Sequence, residues 1–216
     1  MLYTPQEIDM VLSTLGEVLT ADLLEHIRSN YAGEGRHYHT FDHAIEVLSW
    51  VNRACEEYYE EDLQPFTYHE LRLAALLHDV VYTTAGSPQN EAESCEWVQR
   101  ELANVVPPDS MARISQLIML TAEHGKLSAT EVPLAGRLLL DADLANLGRH
   151  QWEVFVYNDS NVVAELRLKY TAEQILVGRK AFLSGFLAKE SIFLSPFFRM
   201  HFEVQARRNI TRLLGL

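Results

Sequence analysis

Hydrophobic residues recur along this chain at spacings of three and four positions, which is the pattern of helices that bury one face. The alternation of apolar and polar residues that marks a half-buried strand is hard to find. Short breaks rich in glycine or acidic residues, such as residues 32–35 and 56–62, separate the helical segments. No internal repeat or low-complexity linker interrupts them. The sequence therefore predicts one all-α domain, a helical bundle over residues 1–216.

Start and stop residues place the predicted helices. Thr4-Pro5 and Thr40 each precede an apolar stripe as N-cap candidates, and Gly125 and Gly148 each follow one as a terminator. Ten helices are predicted. The first runs from Thr4 to about residue 19, and a second, short helix ends at about 31. The others cover 41–55, 68–82, 90 to the prolines at 107–108, a cap at Asp109 or Ser110 to 124, the residues after Pro133 to 148, 151–170, 172–190 and 196–214.

Composition allows a substantial core and limits the partners. The chain has 216 residues, of which 48% are hydrophobic, with only 10 Gly and 7 Pro, as expected for a globular domain. Its formal charge of −12 argues against binding to a nucleic-acid polymer, which needs a basic surface. A small phosphorylated substrate remains compatible with this charge, because a bound cation can dominate the local field.

The N-terminal residues and the small number of cysteines lead us to expect a cytoplasmic protein. The N-terminal residues contain acids and lack a basic start with a long apolar run, so no signal peptide is expected, and no stretch is long enough to cross a membrane. Cys55 and Cys95 are too few for a disulfide scaffold. Each falls on an apolar helical stripe, where packing in the core is expected. The oligomeric state is not predicted.

The segment LAALLHDVVY at residues 73–82 holds the strongest chemical signal. His78 and Asp79 interrupt a run of Leu, Ala, Val and Tyr. An ionised carboxylate moved into such surroundings without partners costs several kcal/mol. Two explanations fit: a metal ion that both residues ligate, or a His–Asp pair satisfied by hydrogen bonds in the core.

Further polar residues fall on apolar faces elsewhere. His43 lies at the edge of the stripe of the helix that Thr40 begins, and His39 lies just before that cap. Asp141 and Asp143 are a second case of carboxylates in an apolar segment, since they lie in a predicted helix that consists mostly of Leu and Ala. Two imidazoles and two carboxylates together make a mixed nitrogen and oxygen site for a divalent metal.

In this order of residues the chain resembles the HD superfamily of metal-dependent phosphohydrolases, whose signature is H…HD…D on a helical core. His43, His78, Asp79 and Asp143 match it, and the resemblance covers at least residues 36–148, with the helices at 151–214 packed on that core. The flanking sequence is similar to uncharacterised bacterial proteins of this superfamily. The resemblance implies Asp143, in the context Ala142-Asp143-Leu144-Ala145, as the last ligand. Asp141 is the substitute ligand, although it points about 200° away round the helix.

The resemblance also suggests catalytic residues. The spacing of His39 and His43 is similar to that of helical cyclic-nucleotide phosphodiesterases, where the first histidine protonates the leaving group, although Thr40 here replaces an asparagine. His124 is a second candidate acid or a core histidine. Glu91 is a candidate base or a partner of its helix N-terminus.

Three arginines and one aspartate are candidates for contact with the substrate. Arg36 and Asp141 are the first candidates. Arg179 and Arg207 are further arginines that suit a phosphate. For Arg207, a pair with Glu203 four residues earlier on the helix is the favoured interpretation.

The function expected from these residues is metal-dependent hydrolysis of a nucleotide or other small phosphate ester by a metal-activated water, in which Asp79 is both ligand and orienting group. The cofactor would be Mn, Fe, Co, Ni, Zn or Mg. The alternative is a non-catalytic HD-type module that binds a metal or ligand for regulation. A metal-free helical scaffold explains the buried acids and imidazoles least well.

Overall fold

A computed structural model describes residues 3–83, 87 and 89–216, and every regular element in that part of the chain is helical. The all-α prediction is confirmed. The ten α-helices are α1 (Pro5–Ser13), α2 (Ala21–Tyr31), α3 (Phe41–Cys55), α4 (Tyr68–Leu77), α5 (Asn90–Glu101), α6 (Pro108–Leu120), α7 (Leu134–Asp143), α8 (Trp152–Leu166), α9 (Ala172–Leu187) and α10 (Pro196–Leu214). Residues 1, 2, 84–86 and 88 lie outside the described part. The sequence of residues 83–88 is rich in turn residues and predicts a loop, most of which therefore lies outside the described residues.

Polar caps fix where several helices begin. The Thr4 hydroxyl accepts from the Glu7 amide, and the Glu7 carboxylate accepts from the Thr4 amide, so α1 starts at a capping box as its sequence predicts. Thr40 precedes α3 with extended backbone, but its side chain makes no capping bond. The predicted start is therefore right for α3, whereas the hydroxyl is not what stabilises it.

Several predicted boundaries are wrong. α5 ends at Glu101 rather than near the prolines at 107–108, α6 at Leu120 rather than 124, α7 at Asp143 rather than 148, and α8 at Leu166 rather than 170. α1 ends at Ser13, and a short 3₁₀ turn follows in which Gly16 takes a φ of +60°, a left-handed conformation that glycine adopts without strain. α4 ends at Leu77, five residues before the predicted end, with His78 as its C-cap. α6 begins at Pro108, because proline suits the first helical position and Pro107 supplies the extended residue before it.

The core lies where α3, α4 and α7 pack against one another. α4 is the central helix: Leu71, Leu73, Leu76 and Leu77 are all within 1% of full burial. Each such leucine stabilises the fold by about 2 kcal/mol through the hydrophobic effect. Polar residues that stand within or next to this packing are held away from water by the surrounding side chains.

A close contact at Gly148 holds the end of α7 in place. After α7 the chain makes a 3₁₀ turn, Leu144–Gly148, which packs against α10. A Cβ at Gly148 would lie 2.6 Å from the Cβ of Phe202, so only glycine permits this approach. The last residue of α7 is thereby fixed relative to the core.

The helices α8 and α9 flank this core and bury fewer side chains. In α9 only Ile175, Leu183 and Phe186 are buried. Both cysteines, Cys55 and Cys95, are buried as expected. None of the helices in the described ranges is both long and apolar enough to cross a membrane.

Candidate metal centre

Three core helices bring His43, His78, Asp79 and Asp143 to one point. His43 is in the first turn of α3, His78 and Asp79 follow the last turn of α4, and Asp143 is the last residue of α7. His43, His78 and Asp79 are 4%, 1% and 7% exposed. Residues up to 100 positions apart in the sequence thus share one buried site, because the helices that carry them pack together.

The four side chains approach within the span of one coordination sphere. One ligand atom each from His43, His78 and Asp79 lies within 4.8 Å of the other two. Asp79 Oδ2 is 3.1 Å from His78 Nε2 and 3.9 Å from His43 Nε2. Asp143 Oδ1 is 2.9 Å from His43 Nε2 and 3.5 Å from His78 Nε2. We call this group the HHDD cluster.

The imidazoles of the HHDD cluster suit a metal better than they suit hydrogen bonds. Nε2 of His43 and Nε2 of His78 are fully buried, and neither makes an aligned hydrogen bond despite the nearby oxygens. Nδ1 of His78 lies 3.0 Å from the Ala75 carbonyl, so it donates there and Nε2 carries the lone pair in the neutral ring. Two nitrogen and two carboxylate donors are a common ligand set for a divalent transition metal.

The cluster is strongly polarised in the absence of a cation. Burial by itself would raise the pKa of Asp79 and of Asp143, but the His78 imidazole outweighs burial and holds both pKa values well below the usual range. The same carboxylates raise the pKa of His78 well above its usual value, although burial opposes this. Both carboxylates are therefore ionised at neutral pH, and they hold positive charge at the imidazole when no metal is bound.

His124 lies beside the cluster. It follows the 3₁₀ turn Thr121–Glu123, beyond the end of α6, and so is not in a helix as predicted. Its Nε2 is 2.7 Å from Asp143 Oδ2, while its Nδ1 is buried without a hydrogen-bond partner. His124 can therefore orient Asp143 or move a proton at its edge of the site.

His39 is held by a residue that the sequence did not reveal, Glu165 of α8. Nδ1 of His39 lies 2.5 Å from Glu165 Oε2, and the His39 ring stacks on Tyr82 with centroids 4.3 Å apart. Glu165 Oε1 accepts the backbone amides of His37, Tyr38 and His39 at 2.7, 2.7 and 3.0 Å. The one carboxylate thus fixes both the loop before α3 and the imidazole on it.

Glu165 also sets the charge of His39. Burial would raise the pKa of the Glu165 carboxyl, but its hydrogen bonds with His39 and the loop amides lower it to about 2. Burial likewise opposes a charge on His39, yet the hydrogen bond to Glu165 and the charge of Asp79 raise the imidazole pKa. The His39 imidazole is therefore protonated more readily than a free imidazole, and its Nε2 is the nitrogen left for other contacts.

The signal for Glu165 was present in the spacing of α8. Phe155, Asn158 and Glu165 are its buried residues, and Val162 completes a stripe with steps of three and four. A glutamate on such a stripe implies a buried partner in the same way as Asp79 does. The partner is a loop more than 120 residues earlier, which no local pattern identifies.

Arg36 and Asp141 do not line the space above the cluster, so their placement does not favour the predicted contact with a substrate. Arg36 Nη1 donates to the carbonyls of His39 and Asp79, each at 2.8 Å, and Nη2 donates to that of Val80 at 3.0 Å. It ties the loop before α3 to the end of α4. It acts on the backbone that carries the cluster.

Asp141 faces away from the cluster, as its position on α7 implies. Its oxygens accept the backbone amides of Leu194 and Ser195 at 2.8 and 2.6 Å, just before α10. Burial raises its pKa to about 6, although these hydrogen bonds oppose the rise. Asp143 rather than Asp141 is therefore the aspartate beside the imidazoles. Arg207 pairs with Glu203 at 2.8 Å, which confirms the favoured interpretation of that residue.

A cavity of about 600 Å³ opens over the cluster, a volume within the range of small-molecule sites. One side is polar and comes from the core and the segments next to it; it includes Asp79, Asp143, His39, Glu91, Asn90 and His124. Glu91 is the second residue of α5, and its Oε2 is buried without a hydrogen-bond partner. Burial, with the charge of Asp79, raises the Glu91 pKa, so this carboxyl can hold a proton close to the site.

No protein-family model, curated protein or solved structure matches this chain. The chemistry of the site therefore follows from its own side chains. Four ligand-type groups meet at one point, two further imidazoles stand beside them, and the cavity is lined by Asp79, Asp143, His39 and His124 of these six.

Proposed function

We propose that this chain is a metal-dependent phosphohydrolase of the HD type that acts on a nucleotide or other small phosphate ester. The observation that carries the proposal is the HHDD cluster at the base of an open cavity, with Nε2 of both histidines buried and without an aligned hydrogen bond. A purely structural cluster would pair these nitrogens, because buried polar atoms without partners are costly.

The metal would be held by His43, His78, Asp79 and Asp143, and Mn, Fe, Co, Ni, Zn and Mg all suit such donors. A divalent ion there supplies a Lewis acid for a phosphoryl oxygen and lowers the pKa of a water molecule toward neutrality. The Ala75 carbonyl serves the site indirectly, since its hydrogen bond to His78 Nδ1 directs Nε2 toward the metal position.

Proton transfer to the leaving group falls to His39. Its ring lines the cavity, its Nδ1 is occupied by Glu165, and the raised pKa favours its protonated form. An imidazolium so placed can donate a proton from Nε2 to the ester oxygen as the P–O bond breaks. Glu165 is a positioning residue, because it acts on the reaction only through His39.

The attacking water needs a hydrogen-bond acceptor on the side of the phosphoryl group opposite the leaving oxygen. Asp79 lines the cavity and is ionised, so its carboxylate can accept a hydrogen bond from that water and hold it for in-line attack. His124 can then take up a proton at its own edge of the site, with Asp143 stabilising the charge at 2.7 Å. The reaction consumes one water and one P–O ester bond and yields an alcohol and a phosphate.

Elemental analysis combined with a substrate panel tests the proposal. Purified wild type is expected to carry about one divalent ion per chain after Mn²⁺ loading. It should then hydrolyse 4-nitrophenyl phosphate or a member of a nucleotide panel. His78→Ala and Asp143→Asn should lose both metal and turnover, whereas His150→Ala, at an exposed histidine outside the cavity, should keep both.

Each outcome has a definite meaning. Wild type without bound metal, and with stability unchanged by a chelator, would contradict the metal site. Wild type that retains metal but hydrolyses nothing in the panel would replace the enzyme with the regulatory module.

A further inference from the structure

The side of the cavity that faces the HHDD cluster is mostly apolar. It comes from α8 and α9, which contribute the apolar Val162, Leu166, Ile175, Gly178 and Phe182 and the polar Gln174 and Arg179. Hydrolysis of a phosphate uses none of these side chains. An apolar surface that faces a charged centre across a cavity of about 600 Å³ binds whatever is attached to the reacting group.

We propose that the substrate is a monoester with a single phosphoryl group and a ring-sized apolar or aromatic alcohol, whose ring occupies the space between Gly178 and the α8 side chains. This rests on the proposed function, because the phosphoryl group is placed at the HHDD cluster. Burial of a ring against Val162, Leu166 and Phe182 supplies affinity from carbon atoms that take no part in the chemistry.

Charge around the cavity limits the number of phosphoryl groups. Among the described lining residues, Arg179 is the only arginine or lysine, and its Nη2 donates to Asp159 in a salt bridge. Asp79, Glu91 and Asp143 line the same space. A di- or triphosphate would bring additional negative charge that no unpaired arginine or lysine among the described lining residues offsets. Arg36, which the sequence suggested for this role, is occupied by backbone carbonyls.

Gly178 leaves the room for the ring. It lies within α9, where glycine costs about 1 kcal/mol relative to alanine. A Cβ built there meets no atom within 4 Å, so neither a close packing contact nor a left-handed backbone requires glycine at this position. The missing side chain instead enlarges the cavity that Gly178 lines.

The test compares two monoesters whose alcohol leaving groups have similar acidity, so that size is the variable between them, and a diphosphate that tests the effect of added charge. Metal-loaded wild type is assayed with 2-cyclohexylethyl phosphate, ethyl phosphate and 2-cyclohexylethyl diphosphate. We expect kcat/KM for the cyclohexylethyl monoester to exceed that for ethyl phosphate by at least about tenfold, because even one buried methylene is worth about that much. The diphosphate should be hydrolysed at least about tenfold less efficiently than the monoester with the same ring.

A filled cavity provides the matched variant. Gly178→Leu should lower kcat/KM for the cyclohexylethyl ester by about tenfold or more and leave that for ethyl phosphate within about twofold. Gly185→Leu is the control: it is in the same helix two turns later, a Cβ there also meets nothing within 4 Å, and it does not line the cavity. Thermal unfolding should show that both variants fold, since leucine favours a helix over glycine.

Binding of phosphonates separates this inference from the proposed function. Metal-loaded protein is titrated with 2-cyclohexylethylphosphonate and with ethylphosphonate. Tighter binding of the ring compound that Gly178→Leu abolishes, without hydrolysis of any ester, supports the ring site and contradicts the enzyme. Hydrolysis of both monoesters with equal kcat/KM, unchanged in Gly178→Leu, supports the enzyme and overturns the ring site. Failure to bind or hydrolyse any of these compounds overturns both.

Discussion

Glu165 Oε2 lies 2.5 Å from Nδ1 of His39, and the carboxylate that makes this contact has no exposed surface. Its other oxygen accepts three consecutive backbone amides of the loop before α3. The loop and the imidazole are therefore positioned by the same group, which is carried by a helix outside the HHDD cluster. The proposed proton donor and the proposed metal ligands are in this way supported by different parts of the fold.

Glu165→Gln tests the role of that pair. Glutamine keeps an oxygen for the loop amides but loses the charge that raises the pKa of His39, so less imidazolium is present at neutral pH. The activity that depends on His39 as an acid is present below its pKa and lost as the pH rises through it. We expect kcat to fall by about ten- to a hundredfold and its alkaline limb to move to lower pH.

The control for this variant is Glu153→Gln, at an exposed glutamate of the same helix. Its kcat and pH profile should match those of wild type. A Glu165→Gln enzyme with lower kcat but an unshifted alkaline limb would mean that the pair is structural and that His39 is not the acid.

Metal affinity should depend steeply on pH. The carboxylates of the cluster raise the pKa of His78 well above its usual value in the metal-free protein, so a cation must displace a proton from it. Each displaced proton makes the apparent affinity rise about tenfold per pH unit while the pH is below that pKa. Titration with Mn²⁺ at pH 6, 7 and 8 measures this slope, and an affinity that is the same at all three would contradict histidine ligation.

The residues of this site differ in how well the sequence predicted them. His78 and Asp79 were visible because two ionisable residues in a run of leucines and alanines have an obvious cost. The choice of Asp143 over Asp141 came from the resemblance to the HD superfamily. Helix geometry predicted that these two aspartates would not face the same ion, since two positions turn a side chain about 200°. Signals of this kind are local, and local signals also predicted all ten α-helices of the described chain.

What could not be predicted depends on contacts between distant segments. Nothing near Arg36 indicates that its guanidinium meets the carbonyls of Asp79 and Val80, more than 40 residues later. α4 was expected to continue to Tyr82, because the apolar residues of the run resume after Asp79 with Val80 and Val81. It ends at Leu77, so that the carbonyls of Asp79 and Val80 are directed to Arg36 instead of to a helical partner.

Arg36→Lys distinguishes a structural role from substrate contact. Lysine cannot form the forked contact with three carbonyls, so buried acceptors would lose their partners. We expect the free energy of unfolding to fall by about 2–4 kcal/mol and metal retention to weaken with it. Chemical denaturation checks the first and elemental analysis the second. Arg208→Lys, at an exposed position of α10, should change neither. If Arg36→Lys raised KM alone, with stability unchanged, the predicted substrate contact would be restored.

Asp141→Asn and Asp143→Asn should have opposite consequences. Asp143→Asn removes a carboxylate 2.9 Å from His43, so it should lose the metal. Asp141→Asn should keep the metal and change the pH dependence of stability. Burial raises the pKa of Asp141 from 3.8 to about 6 in the folded protein, so the folded state binds this proton more tightly. That contribution is fully present below pH 3.8 and is lost as the pH rises through about 6. It amounts to roughly 3 kcal/mol.

Denaturant unfolding at pH values from 3.5 to about 7 measures this difference. Relative to Asp141→Asn, wild type should lose stability across that interval, and the two should run parallel above it. Other carboxylates, including Glu165 with its lowered pKa, are common to both proteins and cancel in the comparison. Curves for wild type and Asp141→Asn that stay parallel throughout would show that the pKa of Asp141 is the same in the folded and unfolded states. Its hydrogen bonds to the amides of Leu194 and Ser195 would then offset its burial.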